Sequence, residues 1–338
     1  MMTPGTYDEA LQRFHQTGPE FDGWLSNHGP MVAEALARRG HEDRIHAWTD
    51  WYSQRLDDRP RGLHPIRPEA WRDPLGDPSR SGDWIDLMLA QVRDEPWRDV
   101  LARWWPRLLP GITAGATHGV IRVGHAVQAL AAHETEPRRD ELAHALAYWA
   151  ARWQPLPPAA PAGTETPAVA LASVPTVAEQ EYGIRNRLAQ LANTPGWTDA
   201  VTSLTPAQDA LDTLDSIIDA AVHGYTRWGH GNATMLVHSA TAPAAVARAL
   251  PHLPATLAAP SVAAAWSATC AVIAAYRPAT DQTAPATGSR TSDDLWHDAL
   301  RHRGEHVIKF ADTALDSAAR THTTAGLTAT AHAITLDA

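Results

Sequence analysis

Residues 293–320 read DDLWHDALRHRGEHVIKFADTALDSAAR, and their spacing decides the fold class. Apolar residues recur every three or four positions, the period of a helix face and not of a strand. The same period returns in 205–225, 232–250 and 260–276, and in two upstream segments, 111–133 and 139–153, joined by the polar turn ETEPR. In 30–40, PMVAEALARRG, Pro30 stands where a first helical turn tolerates a missing N–H, and Gly40 stands just past the end. Runs of alternating β-branched residues are almost absent. The chain therefore reads as an all-α protein, a multi-helix bundle. Two stretches rich in Pro, Ala, Thr and Ser interrupt the helices and are expected as long loops over 155–178 and 277–294. Helices on either side of them carry the same kind of histidine-bearing face, so the expectation is one helical domain spanning 1–338.

The opening stretch holds the only lysine of the chain, Lys309; the other 27 of its 28 basic residues are arginines. Arginine solvates and pairs at least as well as lysine, but its guanidinium does not deprotonate in proteins and cannot become a nucleophile. A lone lysine suggests amine chemistry; the alternative is a solvated lysine surviving in an Arg-rich composition. On one continuous helix His302, His306 and Lys309 share a strip, with Thr313 a turn further along and Glu305, Asp312 and Asp316 on a solvent face. A second helix offers His118, Arg122 and His125 at the same spacings among small residues, Gly111, Ala114, Gly115 and Ala129. His238 lies in MLVHSATAP and His28 in LSNHGP. Each alone reads as easily as a half-buried structural histidine. Together with the lysine they suggest a metal site built between helices.

Taken in order along the chain, NHGP, THGVIRVGHAV, LVHSATAP and HVIKF resemble the questin oxidase-like family, and they span most of its length. The resemblance implies a non-haem Fe(II) oxygenase that uses dioxygen to cleave a carbon–carbon bond of an aromatic polyketide or quinone-like secondary metabolite. It implies His28, His118, His238 and His306 as iron ligands, with Lys309 carboxylated by CO2 as the fifth. A carbamate needs a neutral amine, which arginine does not provide, and it turns a cation into an oxygen ligand. Four imidazoles and one carbamate leave an octahedral iron one open position. Where the fungal pattern has histidine and tyrosine, this chain has Arg122 and His125, read as catalytic or substrate-facing. His125 and His302 remain the alternatives to any one of the four ligands. An arginine near the metal would favour an anionic enolate, phenolate or carboxylate substrate.

Two other readings compete. One is an NADPH-dependent Baeyer–Villiger-type oxidase, for which the nearest glycine cluster, GHGNAT (229–234), lacks the third glycine and follows no expected strand. The other is a non-catalytic helical binding protein. A hydrolase with two metals would need carboxylate ligands, and none is expected on the histidine-bearing faces. A formal charge of −10 without a basic stripe argues against nucleic acid. The single cysteine, Cys270, rules out an internal disulfide, and the N-terminal residues lack a signal-peptide core, which points to the cytoplasm. The apolar run 261–276 is too short and Ala-rich to read as a membrane span. Of 14 tryptophans, Trp24, Trp104, Trp105, Trp149 and Trp228 are candidates for an aromatic pocket or for core.

Overall fold

The structure, a computed structural model, describes residues 4–206 and 208–337 and is built almost wholly of helices. The chain divides into two compact units. The first comprises 1–155 and 248–255, the second 156–247 and 256–338.

The first unit contains α1 (Pro4–Phe14), α2 (Gly29–Arg38), α3 (Glu42–Ser53), α4 (Ser81–Asp94), α5 (Trp97–Leu108), α6 (His118–Ala132) and α7 (Glu136–Ala151). A two-residue hairpin, β1 (Glu20–Phe21) with β2 (Leu25–Ser26), precedes α2. Helix α2 starts and stops for reasons visible in its sequence. Its first N–H, from Gly29, is accepted by the Asn27 side chain at 2.8 Å, and Pro30 has no N–H that would need an acceptor there. At the other end Gly40 adopts φ +76° while the His41 and Gly40 N–H groups reach back to the Leu36 and Ala37 carbonyls. Gly29 is also a close approach: a Cβ there would lie 2.4 Å from the Phe14 ring of α1.

Beyond its charged first turns helix α7 is apolar on nearly every side and packs against α4 and α6, and every residue from Glu141 to Ala151 is buried. Trp104 and Trp84, and Trp105 and Trp149, meet edge to face in this core, and the Trp149 indole N–H is satisfied by the Gly111 carbonyl. These tryptophans are core; Trp24, at the hairpin, is 63% exposed.

The second unit contains α8 (Pro167–Ser173), α9 (Ile184–Leu188), α10 (Trp197–Thr202), α11 (Ala210–Trp228), α12 (Ala233–Leu236), most of α13 (His238–Ala249), α14 (Ala258–Tyr276), α15 (Ser292–His302), α16 (Glu305–Thr321) and α17 (Ala325–Leu336). Helices α16 and α17 pack together and against α11, which also meets α14. Pro243 inside α13 removes the N–H that would bond the Ser239 carbonyl; the Thr269 hydroxyl of α14 takes its place at 2.9 Å. The run Ala255–Tyr276 is long and apolar enough to cross a membrane by composition, yet 67% of its window lies inside the protein, as in a core helix.

Four sequence expectations are corrected. The expected loop 155–178 contains α8, and the loop expected over 277–294 ends earlier, where Thr291 caps α15. The continuous helix through 293–320 does not exist: Arg303 takes a left-handed φ of +67° and ends α15, and α16 starts afresh after Gly304. Asp312, expected to face solvent, is fully buried.

Candidate metal centre

In the first unit two imidazoles meet at the N-terminal ends of two helices. His28 is the residue preceding α2, and His118 is the first residue of α6; their rings stand edge to face at 4.5 Å. Both are buried. The approach to His118 is unusual. Gly115, Ala116 and Thr117 take positive φ in succession, +53°, +58° and +71°, and two of them are not glycine. That backbone costs roughly 1–2 kcal/mol per non-glycine residue. In return the Gly115 carbonyl lies 2.5 Å from His118 Nδ1, accepting its proton and leaving Nε2 as the basic nitrogen. The Thr117 hydroxyl is buried with no hydrogen-bond partner among the described residues. Strain and an orphaned polar atom beside a histidine are what a functional site retains.

In the second unit His238, first residue of α13, and His306, in the first turn of α16, stand 5.2 Å apart at 71°. His238 Nδ1 lies 3.0 Å from the Met235 carbonyl, which again leaves Nε2 basic. Burial, then the Lys309 charge, pulls the His238 pKa down to about 3. Burial, with the charges of Lys309 and His238 next, holds His306 well below the ordinary imidazole range. Both are neutral imidazoles at pH 7, the form that ligates metals.

Lys309 lies one turn beyond His306 on α16 and is 1% exposed. Its Nζ is buried and has no hydrogen-bond partner among the described residues. Burial pulls its pKa down to about 7, with Glu305 opposing in part, so a large share of the amine is neutral at physiological pH. A buried ammonium beside two neutral imidazoles and without an acceptor is a costly arrangement to maintain. Conversion to an anion bound to a cation would remove that cost. The donor set is therefore one that a divalent metal fits: basic imidazole nitrogens and an orphaned amine in a desolvated wall.

The two residues read as catalytic are engaged elsewhere in the first unit. Arg122 makes two hydrogen bonds to Glu141, at 2.6 and 2.9 Å, with both side chains almost fully buried. His15 binds the same carboxylate at 2.9 Å and stacks on His144 at 4.4 Å. Burial pushes the Glu141 carboxyl up, but Arg122 and His15 more than offset it, so Glu141 is ionised. The Arg122 charge is thus neutralised by a protein carboxylate. His125 Nδ1 lies 2.7 Å from Glu34 and its Nε2 accepts from Arg248 at 2.9 Å. His302, outside α16, binds the Gly304 N–H and the Asp337 carbonyl.

Sequence reasoning missed Glu34, Glu141, His15, His144, Arg248 and Tyr52, and it expected no carboxylate on these faces. A signal was present: α2 and the C-terminal part of α7 are apolar on every side, so a carboxylate within them faces protein whichever way it points. Its partner could not be read, because pairing depends on which helices pack together. The cluster GHGNAT begins with a 3₁₀ turn that follows α11 and not a strand, so it lacks the setting of a dinucleotide fingerprint. No protein-family model matches the chain, and no curated protein matches its sequence.

Proposed function

We propose that the chain is a cytoplasmic non-haem Fe(II)-dependent oxygenase that cleaves a carbon–carbon bond of a small aromatic polyketide or quinone-like substrate, in the manner of the questin oxidase-like proteins it resembles. Its iron ligands are His28, His118, His238, His306 and Lys309. The observation that carries the reading is the buried, unpartnered Lys309 amine one turn from a neutral imidazole. The resemblance supplies the substrate class.

The residues divide the work as follows. The neutral Lys309 amine attacks CO2, forming an N–C bond and releasing one proton, and the carbamate becomes an anionic oxygen donor. His118 and His238 hold their Nδ1 protons on main-chain carbonyls and present Nε2. Bound iron would supply the redox chemistry that couples dioxygen to ring cleavage. Glu34 with His125, and Glu141 with Arg122, fix the helices that carry His28 and His118 and keep their own charges balanced away from bulk water.

The test is anaerobic reconstitution with Fe(II) in bicarbonate-containing and CO2-depleted buffer, with metal counted per chain. We expect about one iron, weaker retention without CO2, and at least about tenfold lower affinity when any one of the four histidines becomes alanine. Lys309→Arg, which places a fixed cation where an anion is needed, loses both iron and oxygen consumption with hydroxylated quinones. Full iron in a single-histidine variant removes that residue from the ligand set. Wild-type protein that binds no iron refutes the proposal.

A further inference from the structure

The geometry points to Tyr52 as a positioning residue that fixes the ring orientation and tautomer of His28 for metal binding, an inference that rests on the function proposed above. Histidine ligands need the nitrogen opposite the metal held by an acceptor, or the ring turns and the proton moves to the wrong atom. For His118 and His238 that acceptor is a main-chain carbonyl of the preceding turn. For His28, which precedes α2, the structure places a side chain at the ring. Its partner is a side chain from α3: the Tyr52 oxygen accepts the His28 backbone N–H at 2.8 Å and lies 3.3 Å from His28 Nδ1.

The phenol hydrogen has an outlet of its own in the Ser26 carbonyl, at 3.5 Å. With the phenol proton directed to Ser26, the oxygen accepts from both nitrogens of His28; in the proposed arrangement Nδ1 then carries the hydrogen and Nε2 is basic. Tyr52 is well built for the task. It is fully buried, its ring stacks on Trp48 at 4.6 Å and 14°, and Phe14 and Phe21 close against it edge-on. The phenol oxygen is thereby held to one place.

Tyr52→Phe keeps the ring stack and removes only the hydroxyl. In metal-free protein labelled with 15N-histidine, His28 of the wild type shows a protonated Nδ1; in Tyr52→Phe the two tautomers mix. Co(II) titration, followed by its visible absorption, then shows a loss of roughly 10–100-fold in affinity with one cobalt per chain still reached at saturation. A main-chain bracing role alone would leave the His28 tautomer unmoved. A wild-type His28 protonated on Nε2 overturns the inference without any variant. Equal cobalt affinity of wild type and Tyr52→Phe overturns it while leaving the metal site standing. Wild type that takes up neither cobalt nor iron refutes the metal site itself, and the role of Tyr52 with it.

Discussion

At the scale of single residues, Lys309 ties stability to pH in a direction that can be worked out. Burial lowers its pKa from 10.5 to about 7. Below pH 7 the amine is protonated in both folded and unfolded chains, and the folded protein bears the full cost of the buried ammonium. Between pH 7 and about 10.5 the unfolded chain holds a proton that the folded chain has released, so stability rises with pH. We expect metal-free, CO2-depleted protein to resist urea better at pH 9 than at pH 7. Lys309→Met should lose that slope and exceed the wild type below pH 7; an unchanged slope would assign it to other groups. His238 acts in the acid range: with its pKa lowered from 6.5 to about 3, stability falls as pH drops through that interval. The lysine was legible from the sequence because it is unique, whereas its burial was left open between a strip bordering the apolar sector and a solvated surface position. Its lack of a partner was not legible, since that depends on every element packed around it.

At the scale of elements, α2 and α6 are linked twice. His28 and His118 meet at their N-terminal ends, and Glu34 and His125 meet six and seven residues further on. The two helices therefore run in the same direction, and the buried Glu34–His125 hydrogen bond sets their register. Glu34→Gln keeps an acceptor for His125 but removes the anion beside Arg248, and we expect a loss of about 1–3 kcal/mol in chemical denaturation. In the second unit α17 approaches α16 most closely at Gly326, where a Cβ would lie 1.9 Å from the Ala314 carbonyl. Because that neighbour is backbone, Gly326→Ala must push the helices apart, and we expect at least about 2 kcal/mol of destabilisation, read from the same measurement. The break between α15 and α16 shows where periodicity misled. Positions 302, 306 and 309 keep helical spacing across a chain that is not helical at 303, so the apparent strip was arithmetic. Gly304 was the punctuation that pointed to the truth. The start of α2 and its end at Gly40 were read from the same kind of signal.

At the scale of the whole molecule, all-helical class followed from the spacing alone, because a 3.6-residue period sustained through many segments leaves little chain from which to build a sheet. The two-unit division did not follow: the Pro-rich stretch that begins at 155 read as a loop within one domain, because helices on both sides of it carry histidine-bearing faces, and 248 falls inside α13. The division gives the proposed ligand set a consequence. Two ligands, His28 and His118, belong to the first unit, and three, His238, His306 and Lys309, belong to the second. A metal bound by folded protein and not by unfolded chain stabilises every unit that contributes a ligand. Hydrogen exchange with and without Fe(II), run anaerobically in bicarbonate, should therefore show slower exchange in both sets of ligand-bearing helices: α2 and α6, and α13 and α16. His118→Ala should weaken the protection of α2 and α6. Protection confined to α13 and α16 would leave a site of three ligands in the second unit alone. In that case His28 and His118 would be a structural pair, and the strained turn before α6 would need another purpose.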